Sequence, residues 1–170
     1  MRLLWSSRKT SITFIKYFFN DFLARMVYLA NRIVSIVDDE IDITELFEDA
    51  LRGNIDDISV VSFNDPTLAL EHFKKNKQNY ALILSDMRMP SMTGLELLKK
   101  AKELNPNVRT MLVSAFDMQD NPDFEKYLKG AVIDSLIEKP ITIKRLCQEV
   151  RNEFEAYRLE LEGAKPEIRR

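Results

Sequence analysis

The sequence predicts an α/β fold, a single parallel sheet of five strands with helices on both faces. Two observations carry this expectation. From Arg32 onward, short β-branched runs alternate with longer stretches whose apolar residues recur at helical spacing. The first, third and fourth of these runs are apolar almost throughout, as strands buried on both faces must be.

Each element has a local reason. Ile33 to Val37 reads as strand one. Ile43 to Arg52 reads as helix one, with Asp42 as its N-cap and Gly53 just past its end. Ile58 to Phe63 is strand two. Asp65-Pro66, a cap followed by proline at the first helical position, opens helix two through about Lys77. Ala81 to Ser85 is strand three. Thr93 to Leu104 is helix three, where Glu96 three residues after Thr93 completes a capping box. Val108 to Ser114 contains strand four. A helix from about Pro122 to Lys129 ends at Gly130, Val132 to Ile137 is strand five, and Ile141 to Leu161 is a long final helix. The strand order most consistent with this alternation is the doubly wound, flavodoxin-like 2-1-3-4-5. The domain is expected over residues 31–162, with a polar, frayed tail from Gly163 to Arg170 and no repeat, low-complexity stretch or interdomain linker.

Composition narrows the function. The chain has 170 residues, 45% apolar and 31% charged, with a formal net charge of -2. That balance argues against direct nucleic-acid binding by bulk charge. Nothing after Leu161 is expected to form a helix-turn-helix. Cys147 is the single cysteine, which excludes an internal disulfide and a multi-cysteine metal site; a reducing cytoplasm is the expected location. The first thirty residues combine a basic start (Arg2, Arg8, Lys9) with the aromatics Phe14, Tyr17, Phe18, Phe19 and Phe22. Lys16, Asn20, Asp21 and Arg25 interrupt that run, against a signal peptide and against a membrane span, which needs about 20 mostly apolar residues. Three readings stay open: an amphipathic helix docked on the domain or on a membrane surface, a self-association helix, or an over-read start with Met26 as the true first residue.

In an open α/β sheet the ligand site lies at the carboxyl ends of the strands, where the strand order reverses. Strand one ends in Asp38-Asp39-Glu40, strand three in Asp86, strand four in Ser114-Ala115 and strand five in Glu138-Lys139-Pro140. A parallel sheet brings these ends to one rim. Clustered carboxylates repel unless a cation joins them. A hard divalent ion resolves this, and Mg²⁺ is the natural choice, since it takes one or two carboxylates, keeps waters and bridges to phosphate oxygens. No histidine or cysteine stands at these ends, which argues against zinc. Any one such aspartate alone is more simply a helix cap or a solvated loop residue; all four ends together are not.

These segments carry a resemblance. Val37-Asp38-Asp39-Glu40, the block from Ser85-Asp86-Met87-Arg88-Met89-Pro90 through Ser91-Met92-Thr93-Gly94-Leu95-Glu96-Leu97-Leu98, then Val113-Ser114-Ala115 and Glu138-Lys139-Pro140 resemble the signature of the response-regulator receiver family over roughly Arg32 to Glu155. The resemblance implies that Asp86 takes a phosphoryl group from the phosphohistidine of a sensor histidine kinase or phosphotransfer protein. It implies that Asp39, Asp86 and the backbone carbonyl of Arg88 bind Mg²⁺, with Asp38 acting through a metal-bound water. Lys139 would pair first with Asp86 and then with a phosphoryl oxygen, Ser114 and the Ala115 N–H would bind phosphoryl oxygens, and the peptide before Pro140 would be cis. Met89-Pro90 and Gly94 would shape the loop after Asp86, where a side chain on residue 94 would crowd it.

The resemblance also marks a departure. The family carries an aromatic switch residue three positions before the lysine; Leu136 stands there. Phosphorylation is not threatened, but the readout is expected to run through the last two helices and strand five. Arg88 and Phe116, each two residues after a site residue, would shield the acyl phosphate from water.

The expected molecule is a stand-alone receiver that signals by phosphorylation-dependent protein contacts with a downstream partner the sequence does not name, or acts as a phosphate shuttle or sink. It would be no enzyme beyond its own phosphorylation and dephosphorylation. A haloacid-dehalogenase-type phosphatase would want an aspartate where Arg88 stands, and an interaction-only receiver would lack Asp86, Asp39 or Lys139. His72 is read as solvated surface, Cys147 as packing, and Lys74, Lys75 and Lys77 as a solvated helix end. Leu146, Val150, Phe154 and Tyr157 are spaced for core packing, with Tyr157 and Leu161 also open to homodimerisation.

Overall fold

The structure, a computed structural model, describes residues 31–115, 130 and 132–163. The expected helix over 122–129, the N-terminal segment, Phe116 and the tail after Gly163 lie outside these residues.

Among the described residues nine elements follow in order: β1 (Arg32–Val37), α1 (Ile41–Asn54), β2 (Ile58–Phe63), α2 (Pro66–Asn76), β3 (Tyr80–Asp86), α3 (Gly94–Leu104), β4 (Arg109–Ser114), β5 (Ser135–Glu138) and α4 (Ile143–Gly163). The strands form one sheet in the order β2-β1-β3-β4-β5, every neighbouring pair parallel. This is the architecture expected from the alternating runs. Val37 pairs with both Phe63 and Ser85, Asp86 with Val113, and Ser114 with Glu138. The residues after these pairs therefore emerge along one rim.

Successive strand residues point to opposite faces, so each buried strand feeds two cores. Ile83 joins Val37, Phe73, Tyr80, Leu98 and Leu112 beneath α2 and α3. Its neighbours Leu82 and Leu84 join Ile36, Phe47, Leu51, Met111, Leu146 and Val150 beneath α1 and α4. Cys147 packs in this second core, as expected. Among the described residues, no helix is long and apolar enough to cross a membrane.

Two caps match the sequence. Asp65 accepts from the Thr67 N–H at 2.7 Å, and Thr93 with Glu96 forms the complete capping box of α3. Helix α1 differs. Its N-cap position is Glu40, without a side-chain cap bond, and Asp42 lies inside the first turn, where its charge suits the helix dipole. Gly53 lies within α1 rather than beyond it, because Asn54 bonds back to the Ala50 carbonyl at 2.8 Å and the Ile55 N–H to Leu51 at 2.9 Å. Strand β5 is shorter than expected. Asp134 leaves the strand to accept from both the backbone N–H and the hydroxyl of Thr110, at 2.7 and 2.9 Å.

His72 is not simply solvated. It is half-buried, its ring packs between Phe63 and Tyr80, and its Nδ1 lies 2.6 Å from the Tyr80 hydroxyl. Burial pushes the Tyr80 hydroxyl pKa up, against a bond from Ser35 that lowers it. Tyr157 is not a free dimerisation surface either. It is buried with Phe154 and Ala81, Leu161 packs beside them, and the Arg32 guanidinium sits 6.0 Å from its ring centre. Arg109 secures the same stretch of α4. It reaches Glu153 at 2.7 Å, Glu160 at 2.7 Å and Asp134 at 3.3 Å, while Lys102 reaches Asp134 at 2.7 Å.

Leu98 is fully buried between α3 and the sheet. Leu98→Ala should lower the unfolding free energy by about 2–5 kcal/mol, measured by urea denaturation with an unchanged slope.

Candidate functional site

The rim gathers the strand-end residues singled out in the sequence. Asp38 follows β1, Asp86 ends β3, Ser114 ends β4 and Lys139 follows β5. The Lys139 N–H donates to the Ser114 carbonyl at 2.7 Å, continuing the strand pairing one residue past β5, and the Lys139–Pro140 peptide is cis.

Lys139 is the hub. Its Nζ lies 2.6 Å from Asp86 Oδ1 and 3.1 Å from Asp38 Oδ2, so one ammonium joins the ends of three strands. Burial pulls its pKa down, but bonds to Asp86 and Asp38 and the charge of both carboxylates outweigh this, and the net shift is upward. Asp86 Oδ2 accepts the Arg88 N–H at 2.6 Å, which folds the loop back over the carboxylate.

That loop depends on close backbone contact. The Met87 N–H donates to Val113 at 3.0 Å, and the Gly94 N–H donates to the Met87 carbonyl at 3.1 Å. A Cβ on Gly94 would lie 2.1 Å from the Asp86 carbonyl oxygen and 2.9 Å from Ser85 Oγ. Glycine is required there by the approach of α3 to the strand end. Ser91 takes a left-handed conformation, φ 69°, as the chain turns toward α3.

Asp38 is enclosed by bonds. Its N–H donates to the Phe63 carbonyl at 3.2 Å, and its Oδ1 accepts the Glu40 N–H at 3.0 Å. Its carbonyl accepts from the Asn64 side-chain amide at 2.9 Å. Asn64 also donates to Thr44 Oγ1 at 2.9 Å, and that hydroxyl donates to the Ile41 carbonyl at 2.8 Å. Asn64 and Thr44 were not singled out in the sequence. The signal that points to Asn64 is the rim itself, since β2 also ends there.

A cavity of about 420 Å³ opens at this rim, lined by Asp39, Glu40, Asp86, Met87, Arg88, Ser114, Ala115 and Lys139. Among the described residues, no three His, Cys, Asp or Glu side chains converge to encage an ion by themselves. Mg²⁺ asks for less, one or two carboxylates with waters completing its shell. Asp39 and Asp86 both face the cavity beside Arg88, so the donor set is all oxygen and of the right number for that ion. Asp38, 4% exposed at its side chain, stands behind Lys139 rather than in the cavity wall. Ser114 is buried at the cavity edge and Ala115 is exposed beside it. Leu136 pairs with Leu112 and packs against the α2–α3 core, with neither ring nor hydroxyl to exchange between positions.

Two outcomes follow from this geometry. Gly94→Ala should destabilise the domain by about 1–3 kcal/mol in urea unfolding, because its Cβ meets backbone rather than a movable side chain. Lys139, with its pKa raised on folding, stabilises the folded state below its ordinary value of 10.5, and this is lost as pH rises through the folded value. The stability gap between the parent and Lys139→Met should therefore hold steady from neutral pH and narrow only above about 10.5, measured by urea unfolding across that range.

Comparisons with known proteins identify the family and the fold. The family model described as "Response regulator receiver domain" matches residues 34–151. The chain is 32% identical over 113 residues to the transcriptional regulatory protein ZraR of Klebsiella oxytoca, covering 66% of this chain and 24% of that protein. It is 33% identical over 130 residues to the hydrogenase transcriptional regulatory protein HoxA of Cupriavidus necator, covering 75% of this chain and 25% of that one. The chain thus spans about a quarter of these relatives, which are longer regulators. Among solved structures, a response regulator receiver domain protein from Clostridium thermocellum shares the fold with a TM-score of 0.67 at 20% identity, over 76% of this chain and 98% of that one. A Francisella response regulator receiver domain matches with a TM-score of 0.61 at 28% identity, over 74% and 98%. The chain belongs to the response regulator receiver domain family of two-component systems.

Proposed function

We propose that Asp86 is the phosphoacceptor and that the domain passes on a signal by changing which protein it contacts once Asp86 is phosphorylated. The observation that carries this is Lys139 Nζ at 2.6 Å from Asp86 and 3.1 Å from Asp38, beside a cavity that also meets Asp39, Ser114 and Ala115.

An Asp86 carboxylate oxygen attacks the phosphorus of a phosphohistidine on a sensor kinase or phosphotransfer protein. The P–N bond breaks as the P–O bond forms, and its electron pair leaves on the imidazole nitrogen. Asp39, Asp86 and the Arg88 carbonyl would hold Mg²⁺, with Asp38 acting through a bound water. When bound, that ion offsets charge on the transferring phosphoryl group. Lys139 holds Asp86 oriented before transfer and afterwards pairs with a phosphoryl oxygen. Ser114 and the Ala115 N–H supply neutral donors to the others. Phosphoryl transfer relies mainly on such positioning, so no further acid or base is needed.

The domain catalyses only its own phosphorylation and dephosphorylation. The single cysteine, Cys147, free and buried, suits a domain that works in the reducing cytoplasm. Phosphorylation needs to favour one arrangement by only a few kcal/mol to exchange partners. With Leu136 in place of an aromatic, that exchange uses the packed surface of β5 and α4. Arg88, exposed beside Asp86, limits the approach of a hydrolysing water.

Incubated with acetyl phosphate and Mg²⁺, the parent chain should take up phosphoryl label, while Asp86→Asn or chelation with EDTA should reduce the label to background. Equal labelling of the parent and Asp86→Asn would refute the assignment.

A further inference from the structure

We infer that Asn64 is a positioning residue for the cation site, acting through the Asp38–Asp39 peptide. The inference rests on the proposed Mg²⁺-dependent phosphoryl acceptance and extends it to a residue outside the cavity wall.

The hydrogens of this network are assigned by their partners. The Asp38 carbonyl can only accept, so the Asn64 amide nitrogen must face it, at 2.9 Å. Thr44 Oγ1 spends its single hydrogen on the Ile41 carbonyl at 2.8 Å, so it too accepts from Asn64, at 2.9 Å. Both amide hydrogens of Asn64 are thereby directed. One fixes the carbonyl before Asp39, and the other fixes the first turn of α1.

A peptide unit is planar, so holding the Asp38 carbonyl also holds the Asp39 N–H and the Asp39 Cα, the point from which that side chain starts. The Asp38 side chain and N–H are held separately, by Lys139, Glu40 and Phe63. Asn64 adds the remaining constraint, on the peptide that carries the exposed carboxylate lining the cavity. Its own backbone is anchored, since it lies between Phe63, which accepts from Asp38, and Asp65, which caps α2. Asn64 is itself exposed, so its replacement opens no cavity in either core.

Outer partners that orient ligands typically change metal affinity by about 10- to 100-fold. Calorimetric titration of the full chain with Mg²⁺ should show Asn64→Ala binding about 10-fold more weakly than the parent. Thr44→Val, which removes the second acceptor, should weaken binding in the same direction, and Thr44→Ser should restore it. The maximal rate of phosphoryl uptake from acetyl phosphate at saturating Mg²⁺ should stay at the parent level in Asn64→Ala, because Asp86, Ser114 and Lys139 are untouched. Parent-like Mg²⁺ affinity in Asn64→Ala would overturn the inference. So would a loss of maximal rate and melting temperature in step with affinity, which marks a merely structural role. If the parent itself bound no Mg²⁺, the proposed phosphoryl chemistry would fall with it, an outcome distinct from a failure of Asn64 alone.

Discussion

An ammonium between two carboxylates does two things that neither carboxylate could manage alone. Side by side at a strand rim, the carboxylates of Asp38 and Asp86 repel one another. Lys139 offsets that repulsion from between them, 2.6 Å from Asp86 and 3.1 Å from Asp38. It also joins the ends of the neighbouring strands β1 and β3 to that of β5, which lies beyond β4. The parallel sheet in this order is what sets those ends around one lysine.

Around that pair the chain is packed by backbone rather than by bulk. Gly94 lets α3 approach Asp86 more closely than any side chain would permit. The Arg88 N–H fixes one Asp86 oxygen and Lys139 the other, so the carboxylate is oriented before any ligand arrives. For the proposed phosphoryl transfer, such prior orientation would lower the cost of ordering at the moment of reaction.

The elements most legible in the sequence were those with strong local chemistry. Asp65-Pro66 and Thr93 with Glu96 marked helix starts because caps act within a turn, and the apolar runs at Ile33 and Ala81 marked strands because burial on both faces leaves no alternation. The rim residues were legible because the fold rule says where to look. What escaped depends on contacts across the fold. Helix α1 runs past Gly53 because of bonds from Asn54 and Ile55. His72 finds Tyr80, eight residues on and across a turn, as a partner that no spacing rule indicates. Tyr157 shows the same helical spacing whether it meets its own sheet or a second molecule; Arg32 and Ala81 beneath it decide the matter. Asn64 acts through a backbone carbonyl, an atom every residue has, so its role leaves no mark on its partner's identity.

Helix α4 begins four residues after Lys139 and runs for 21 residues, about 30 Å at the usual helical rise. Its far half is tied to the sheet by Arg109 through Glu153 and Glu160. A stiff rod fastened near its far end resists sliding along its axis. Its near turns are held as well, since Leu146, Cys147 and Val150 are buried in the second core, so the helix is clamped along its length.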